Sequence, residues 1–167
     1  MSLSMYQASI PVFVRMLGNL SAILEKAASF SEARKIDPSA LTNARLAPDM
    51  YPLSRQIQIA TDAVKGGAAR LAGIDVPSYP DTETTFAELK DRIAKTVSFI
   101  QGISPAQIDG TEDREISLKI GGHDVTFKGQ AYLLNFVTPN LYFHITTAYA
   151  ILRHNGLEIG KVDYLGQ

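Results

Sequence analysis

At 167 residues, 46% hydrophobic and 20% charged, the chain is long enough for one compact domain and too apolar for a disordered tail; no apolar run reaches the roughly 20 residues of a membrane span. Sixteen Lys and Arg against 17 Asp and Glu leave a net charge of −1, spread without a long run of either sign, so neither a nucleic acid nor a membrane is an expected partner. Cys is absent and His numbers three, which removes disulfides, thiol catalysis and thiolate metal sites. Arg15, Glu25 and Lys26 interrupt the apolar residues of the first thirty, and no signal-peptide pattern is visible; a cytoplasmic protein is expected.

Tyr6, Ile10, Phe13, Leu17, Leu20, Leu24 and Ala27 step by threes and fours, the spacing of an apolar stripe on a first helix. Pro11 suits its first turn if the helix starts at Ser9 or Ile10, and otherwise kinks it. Periodicity weakens from Ser31 to Pro48, a long connection read as a lid over one end of the helices. Met50, Leu53, Ile57, Ala60, Val64, Ala68 and Leu71 form a second stripe, with Asp49 as the expected N-cap, Pro52 in the first turn and Gly73 just past the end. The adjacent Gly66 and Gly67 inside it point to close packing against a neighbouring helix.

Thr85 and Glu88 are spaced as a capping box ahead of Phe86, Leu89, Ile93, Val97 and Ile100, a third helix ending near Gly102. Residues 104–107 suggest one short helical turn. The period then changes. Ile116, Leu118 and Ile120 alternate with polar residues, Gly121 and Gly122 follow, and Val125 and Phe127 alternate again. A two-residue turn at the glycines pairs Ile120 with His123, Leu118 with Val125 and Ile116 with Phe127, a hairpin with one apolar face. Helical spacing returns through Leu133, Val137, Asn140, His144, Thr147, Ala148 and Ile151 to a stop at Gly156. Pro139 either kinks this helix or follows Thr138 as the cap of a fresh one. Tyr142, Phe143 and Tyr149 are expected in the core or at helix contacts. The whole chain, 1–167, reads as one all-α domain, a four-helix bundle with a small β-hairpin before the last helix.

Polar residues on apolar faces are the candidates for chemistry. Asn140 and His144 lie four apart on the last helix, and Gln58 and Asp62 repeat that spacing on the second, so all four are expected to line an internal polar pocket. His144 is the candidate catalytic residue, the side chain suited to moving a proton near neutral pH. Its companions are neutral amides, poor donors for a transition metal, so no tight metal is expected; a divalent ion, if bound, would fall to His144 with Asp62 or Asp49. His123 at the hairpin turn and His154 at a helix end are expected to be solvent-facing.

The run from Asn140 through His144, Tyr149, Arg153 and Asn155 to Gly156, followed by Gly160, Lys161, Asp163, Tyr164 and Gly166, resembles the C-terminal signature of an uncharacterised bacterial domain-of-unknown-function family related to DinB proteins. Arg45, the stretch from Pro48 to Leu53, Gln56, Gln58, Asp62, Arg70 and Gly73 match its earlier block. The wider DinB/YfiT-like superfamily implies a four-helix bundle, commonly dimeric, with a divalent metal held by one His of the second helix and an H-x-x-x-H pair of the last. Some relatives of that type are thiol-dependent transferases. Under this resemblance His144 takes the place of the last His, while Asn140 and Gln58 stand where the other two are expected. The expected function is small-molecule binding in the polar pocket without a tight metal. A divalent-metal-dependent thiol transferase or hydrolase and a non-enzymatic homodimeric interaction protein are the alternatives, and whether the chain is an enzyme stays open.

Overall fold

Apolar stripes at helical spacing bury themselves by pairing helices, and in the computed structural model, which describes residues 3–166, four long helices do so. They are α1 (Ile10–Arg34), α3 (Leu53–Ala72), α4 (Phe86–Gln101) and α7 (Thr138–His154), with short helices α2 (Pro38–Thr42), α5 (Pro105–Ile108), α6 (Gly129–Tyr132) and α8 (Lys161–Leu165) between and after them. Helix α1 packs on α4, α4 on α3, α3 on α7 and α7 on α1. Phe13, Leu17, Leu20, Leu24, Ile57, Val64, Leu89, Ile93, Ile145 and Ile151 meet in one hydrophobic core. The chain is thus mostly helical with one two-stranded antiparallel hairpin, β1 (Glu115–Ile120) and β2 (His123–Lys128).

Pro11 lies in the first turn of α1, where its missing N–H costs nothing. Helix α1 continues to Arg34, because Ser31 remains on the buried face and returns its hydroxyl to the Ala27 carbonyl at 2.9 Å. The expected lid between Ser31 and Pro48 is therefore partly helix. Within its remainder Pro38–Thr42 form α2, capped by the Asp37 carboxylate on the Ser39 N–H at 2.9 Å, with Leu41 in the core.

Helix α3 starts at Leu53 with Pro52 as its N-cap. Asp49 and Met50 thus precede the helix, correcting the expected cap: Pro52 is extended (φ −69°, ψ 166°), and the chain reaches Leu53 through a Leu53 N–H to Ala44 carbonyl bond of 2.9 Å. The Thr85–Glu88 capping box on α4 is present as expected. The Glu88 carboxylate accepts from the Thr84 and Thr85 N–H groups, which hold its pKa at about 2.

The hairpin has the expected register, Ile120 opposite His123, Leu118 opposite Val125 and Ile116 opposite Phe127. Gly121 and Gly122 turn it with φ of 57° and 86°, the pair of left-handed conformations that a tight two-residue hairpin needs. Its apolar face rests on an aromatic cluster in which Phe127, Tyr132 and Phe136 stand 5.6–5.7 Å apart by ring centroid.

At Pro139 no fresh helix begins with Thr138 as its cap. Residues Leu133–Val137 form a π-helical turn, in which the Thr138 N–H reaches back five residues to the Leu133 carbonyl. Widening the turn makes room for a proline ring that would strike the carbonyl four residues earlier in a regular helix. Helix α7 then runs on with Pro139 in its first turn, and Thr138 is helical rather than a cap. The Thr138 hydroxyl is a buried polar atom without a hydrogen-bond partner among the described residues. Gly67 explains the approach of this turn to α3, since a Cβ there would stand 2.6 Å from Val137 Cγ1.

Tyr142 and Phe143 are exposed, which corrects the expectation that they sit in the core; Phe143 falls on the side of α7 opposite Leu141, Ile145 and Ala148, and Tyr142 at the edge of their face. Tyr149 is half-buried and meets Tyr164 of α8 edge to face. Helix α8 lies on α1, tied by Lys26 to Asp163 and by Asn19 to the Tyr164 carbonyl at 3.0 Å. Among the described residues no helix is long and apolar enough to cross a membrane.

Candidate functional site

His144 is 9% exposed and lies on the face of α7 that packs on α3. Its Nδ1 is 2.7 Å from Gln56 Oε1. The Gln56 amide has only one workable orientation, because its Nε2 donates to the Tyr51 carbonyl at 3.0 Å and a carbonyl can only accept. Gln56 therefore presents oxygen to the imidazole, and His144 must donate from Nδ1. The other nitrogen, Nε2, is left as an unprotonated acceptor in the neutral ring. Burial first, and the Arg55 guanidinium second, push the His144 pKa below its ordinary 6.5. Neutral imidazole is thus the form favoured at physiological pH. Nε2 has no hydrogen-bond partner among the described residues and is not one of the sealed, unpartnered polar atoms, so it is open to water or a ligand.

Gln58 and Asp62 join a different network. Gln58 Nε2 donates to Glu83 Oε2 at 3.1 Å, and Gln58 Oε1 accepts from Arg55 Nη1 at 3.3 Å. Asp62 Oδ1 receives Arg92 Nη2 at 2.9 Å and Lys65 Nζ at 2.7 Å. At the centre is Arg92, whose side chain is 1% exposed. Its Nε donates to Thr61 Oγ1 at 2.8 Å, Nη1 to the Pro80 carbonyl at 3.0 Å and to Glu83 at 3.1 Å, and Nη2 pairs with Asp62 and, at 3.0 Å, with Asp81. Each of the three guanidinium nitrogens donates at least one hydrogen bond, and Asp81 adds an ion pair, so Arg92 clasps the segment 73–85 onto α3 and α4. The ring of Tyr79 from that segment lies between Lys65 and Lys95, each ammonium 4.1 Å from its centroid. A cleft of about 290 Å³ opens beside it, lined by Tyr79, Thr82, Glu88, Asp91 and Lys95 among others. Arg92, also in its lining, is 1% exposed at its side chain.

The four expected pocket residues are therefore not joined by hydrogen bonds. Gln58 and Asp62 belong to the Arg92 network, His144 pairs with Gln56, and the half-buried Asn140 makes no side-chain hydrogen bond among the described residues. The link between the two groups is Arg55, which touches Gln58 and Asp81 and whose charge reaches His144. His123 and His154 are exposed, as expected.

Gln56, Arg55 and Arg92 are the residues that pattern reading passed over. Gln56 stands three after Leu53 and four before Ala60, both fully buried, and Arg92 stands three after Leu89 and four before Thr96. Each is a polar residue on an apolar stripe, the same signal that singled out His144. Arg55 carries no such signal, since its position on α3 is half-exposed.

A divalent metal does not fit these residues. Among the described residues no three His, Cys, Asp or Glu side chains converge as a metal would require. Asp62, the carboxylate expected to help, is committed to Arg92 and Lys65, and Arg55 places a positive charge beside His144. A cation at Nε2 would meet that charge without a carboxylate to offset it.

The family described as Domain of unknown function (DUF1993) matches residues 5–165. The crystal structure of a DinB family member protein from Shewanella denitrificans is similar, with a TM-score of 0.88 and 44% sequence identity over 97% of this chain and 92% of that one. No curated protein matches the chain. The match over nearly all of its length, together with that likeness, makes this chain a member of the DUF1993 family, a DinB-like domain of unknown function.

Proposed function

We propose that the protein binds a small molecule at the α3–α7 seam without a tight metal, using His144 Nε2 as the proton or hydrogen-bond acceptor. One observation carries this reading: Gln56, fixed by the Tyr51 carbonyl, accepts a hydrogen bond from the His144 Nδ1–H and leaves Nε2 as the basic atom. Such an arrangement sets the tautomer of a catalytic or ligand-binding histidine. Burial and Arg55 keep the ring neutral, ready to accept a proton.

The setting of this site is a bundle of the four long helices within one domain, a reading supported by their pairwise packing and common core. The protein acts in the bacterial cytoplasm as a homodimer. Exposed Tyr51 and Phe143, at 58% and 55%, give the face around His144 apolar surface on which a ligand or a second copy would rest.

A thermal-shift screen of small acids and thiols tests the binding reading. At least one compound is expected to raise Tm in the wild type and to lose that effect in His144→Gln, with circular dichroism confirming that the variant is folded. A response unchanged in His144→Gln, or stabilisation by zinc, nickel or manganese that His144→Gln abolishes, would overturn it.

A further inference from the structure

The two arginines of the polar network differ in what they have left to give. Arg92 is 1% exposed at its side chain, and each of its three nitrogens is hydrogen-bonded within the protein. Arg55 is 35% exposed at its side chain and is held by Nη1 alone, which donates to Gln58 Oε1 at 3.3 Å and pairs with Asp81. Among the described residues its Nε and Nη2 have no partner. These two nitrogens form one edge of the guanidinium and direct two N–H bonds in parallel, the fork that matches the two oxygens of a carboxylate. The ring centroid of Tyr51 lies 5.8 Å from the Arg55 Cζ, within cation–π range.

The surrounding charge narrows the anion. Asp81 already sits on Nη1, and Glu83 accepts from Gln58, whose own oxygen is on Arg55. Two carboxylates nearby favour a monoanion over a dianion such as phosphate. Arg55 precedes Gln56 in α3, and Gln56 holds His144. His144 Nε2, unprotonated, would repel a carboxylate oxygen and needs a proton donor on the ligand instead.

We infer that Arg55 and His144 recognise a small hydroxycarboxylate, its carboxylate on the Nε–Nη2 edge of Arg55 and its hydroxyl donating to His144 Nε2. This identification of the ligand class rests on the binding site proposed above. The ion pair with Asp81 stays in place, since it uses the opposite end of the guanidinium.

The test is calorimetric titration of the full chain near pH 7.5 with glycolate, acetate and inorganic phosphate, with the imidazole nitrogens followed by NMR in parallel. Glycolate is expected to bind saturably, more tightly than acetate, and to shift the His144 ring; phosphate is expected to bind more weakly than either. Arg55→Gln should weaken glycolate about tenfold or more, the loss expected when a charged hydrogen-bonding partner is removed. Arg55→Lys, which keeps the charge but not the fork, should lose most of the same affinity, and both variants should fold because the side chain is half-exposed. Equal binding of glycolate and acetate, tighter binding of phosphate, or no loss in Arg55→Gln would overturn the assignment. If glycolate fails to bind while His144 shows a neutral ring protonated at Nδ1, the hydroxycarboxylate assignment falls alone. If the ring is protonated at Nε2, the binding site itself falls with it.

Discussion

Gln56 and His144 have no exposed charge between them, yet a single 2.7 Å contact decides which nitrogen of the imidazole is basic. Replacing Gln56 by Glu puts a carboxylate on the Nδ1 proton and stabilises imidazolium, so the His144 pKa should rise above its ordinary 6.5, read by NMR titration. An unchanged or lower midpoint would contradict the contact. Arg92 is the residue whose loss should cost most. In Arg92→Met, three carboxylates from Asp62, Asp81 and Glu83 lose their shared partner, and urea unfolding should show a loss of about 3 kcal/mol. Asp62 and Asp81 are partly exposed, and water then takes up some of the charge, which keeps the expected loss at the low end for a broken buried pair. His144 was legible in the sequence because it sat on an apolar stripe. Gln56 and Arg92 carry the same signal, but Gln56 has no polar residue four positions away, the spacing that makes Gln58 and Asp62 stand out in the sequence. Which amide faces which helix depends on the rotation of α3 against α7, which periodicity alone does not set.

At the scale of elements, the helix stripes, the Thr85–Glu88 capping box and the hairpin register were readable, since each depends on residues within a few positions of one another. The α3 start was misplaced because Pro52, extended in front of the helix, leaves Asp49 too far back to cap it. The π-helical turn before Pro139 was not legible. It depends on what lies across from it, where Gly67 leaves room for Val137. Gly67→Ala should therefore press a methyl group into Val137 and destabilise the fold by about 1–3 kcal/mol. Val137→Ala in the same chain should recover part of that loss, a coupling that a double-mutant cycle measures. Additive effects of the two substitutions would show that the helices are not in contact there.

Over the whole molecule His144 and three carboxylates, Glu88, Asp37 and Asp163, shape how stability follows pH. His144 has a folded pKa below 6.5, so the unfolded chain takes up its proton first as pH falls. Stability linked to the neutral ring is complete above 6.5, declines as pH falls below that value and levels off once the lower folded pKa is passed. Glu88 acts further down, its contribution present above 4.5 and lost as pH falls toward about 2. Asp37 and Asp163, whose pKa values are lowered by hydrogen bonds from Ser39 and Lys26, act in the same direction. Urea unfolding should accordingly give lower stability at pH 5 than at pH 7.5, and His144→Gln should flatten that part of the curve. A wild-type curve rising toward pH 5 would contradict a neutral buried ring. In the proposed binding site the neutral His144 ring is the group that accepts a proton. A long-range proton–nitrogen NMR spectrum of the imidazoles, recorded through a pH titration of the wild-type protein, measures that base directly. His144 should appear at neutral pH with Nδ1 protonated and Nε2 bare, with a midpoint below 6.5; a ring protonated at Nε2, or a midpoint above 6.5, would contradict the account.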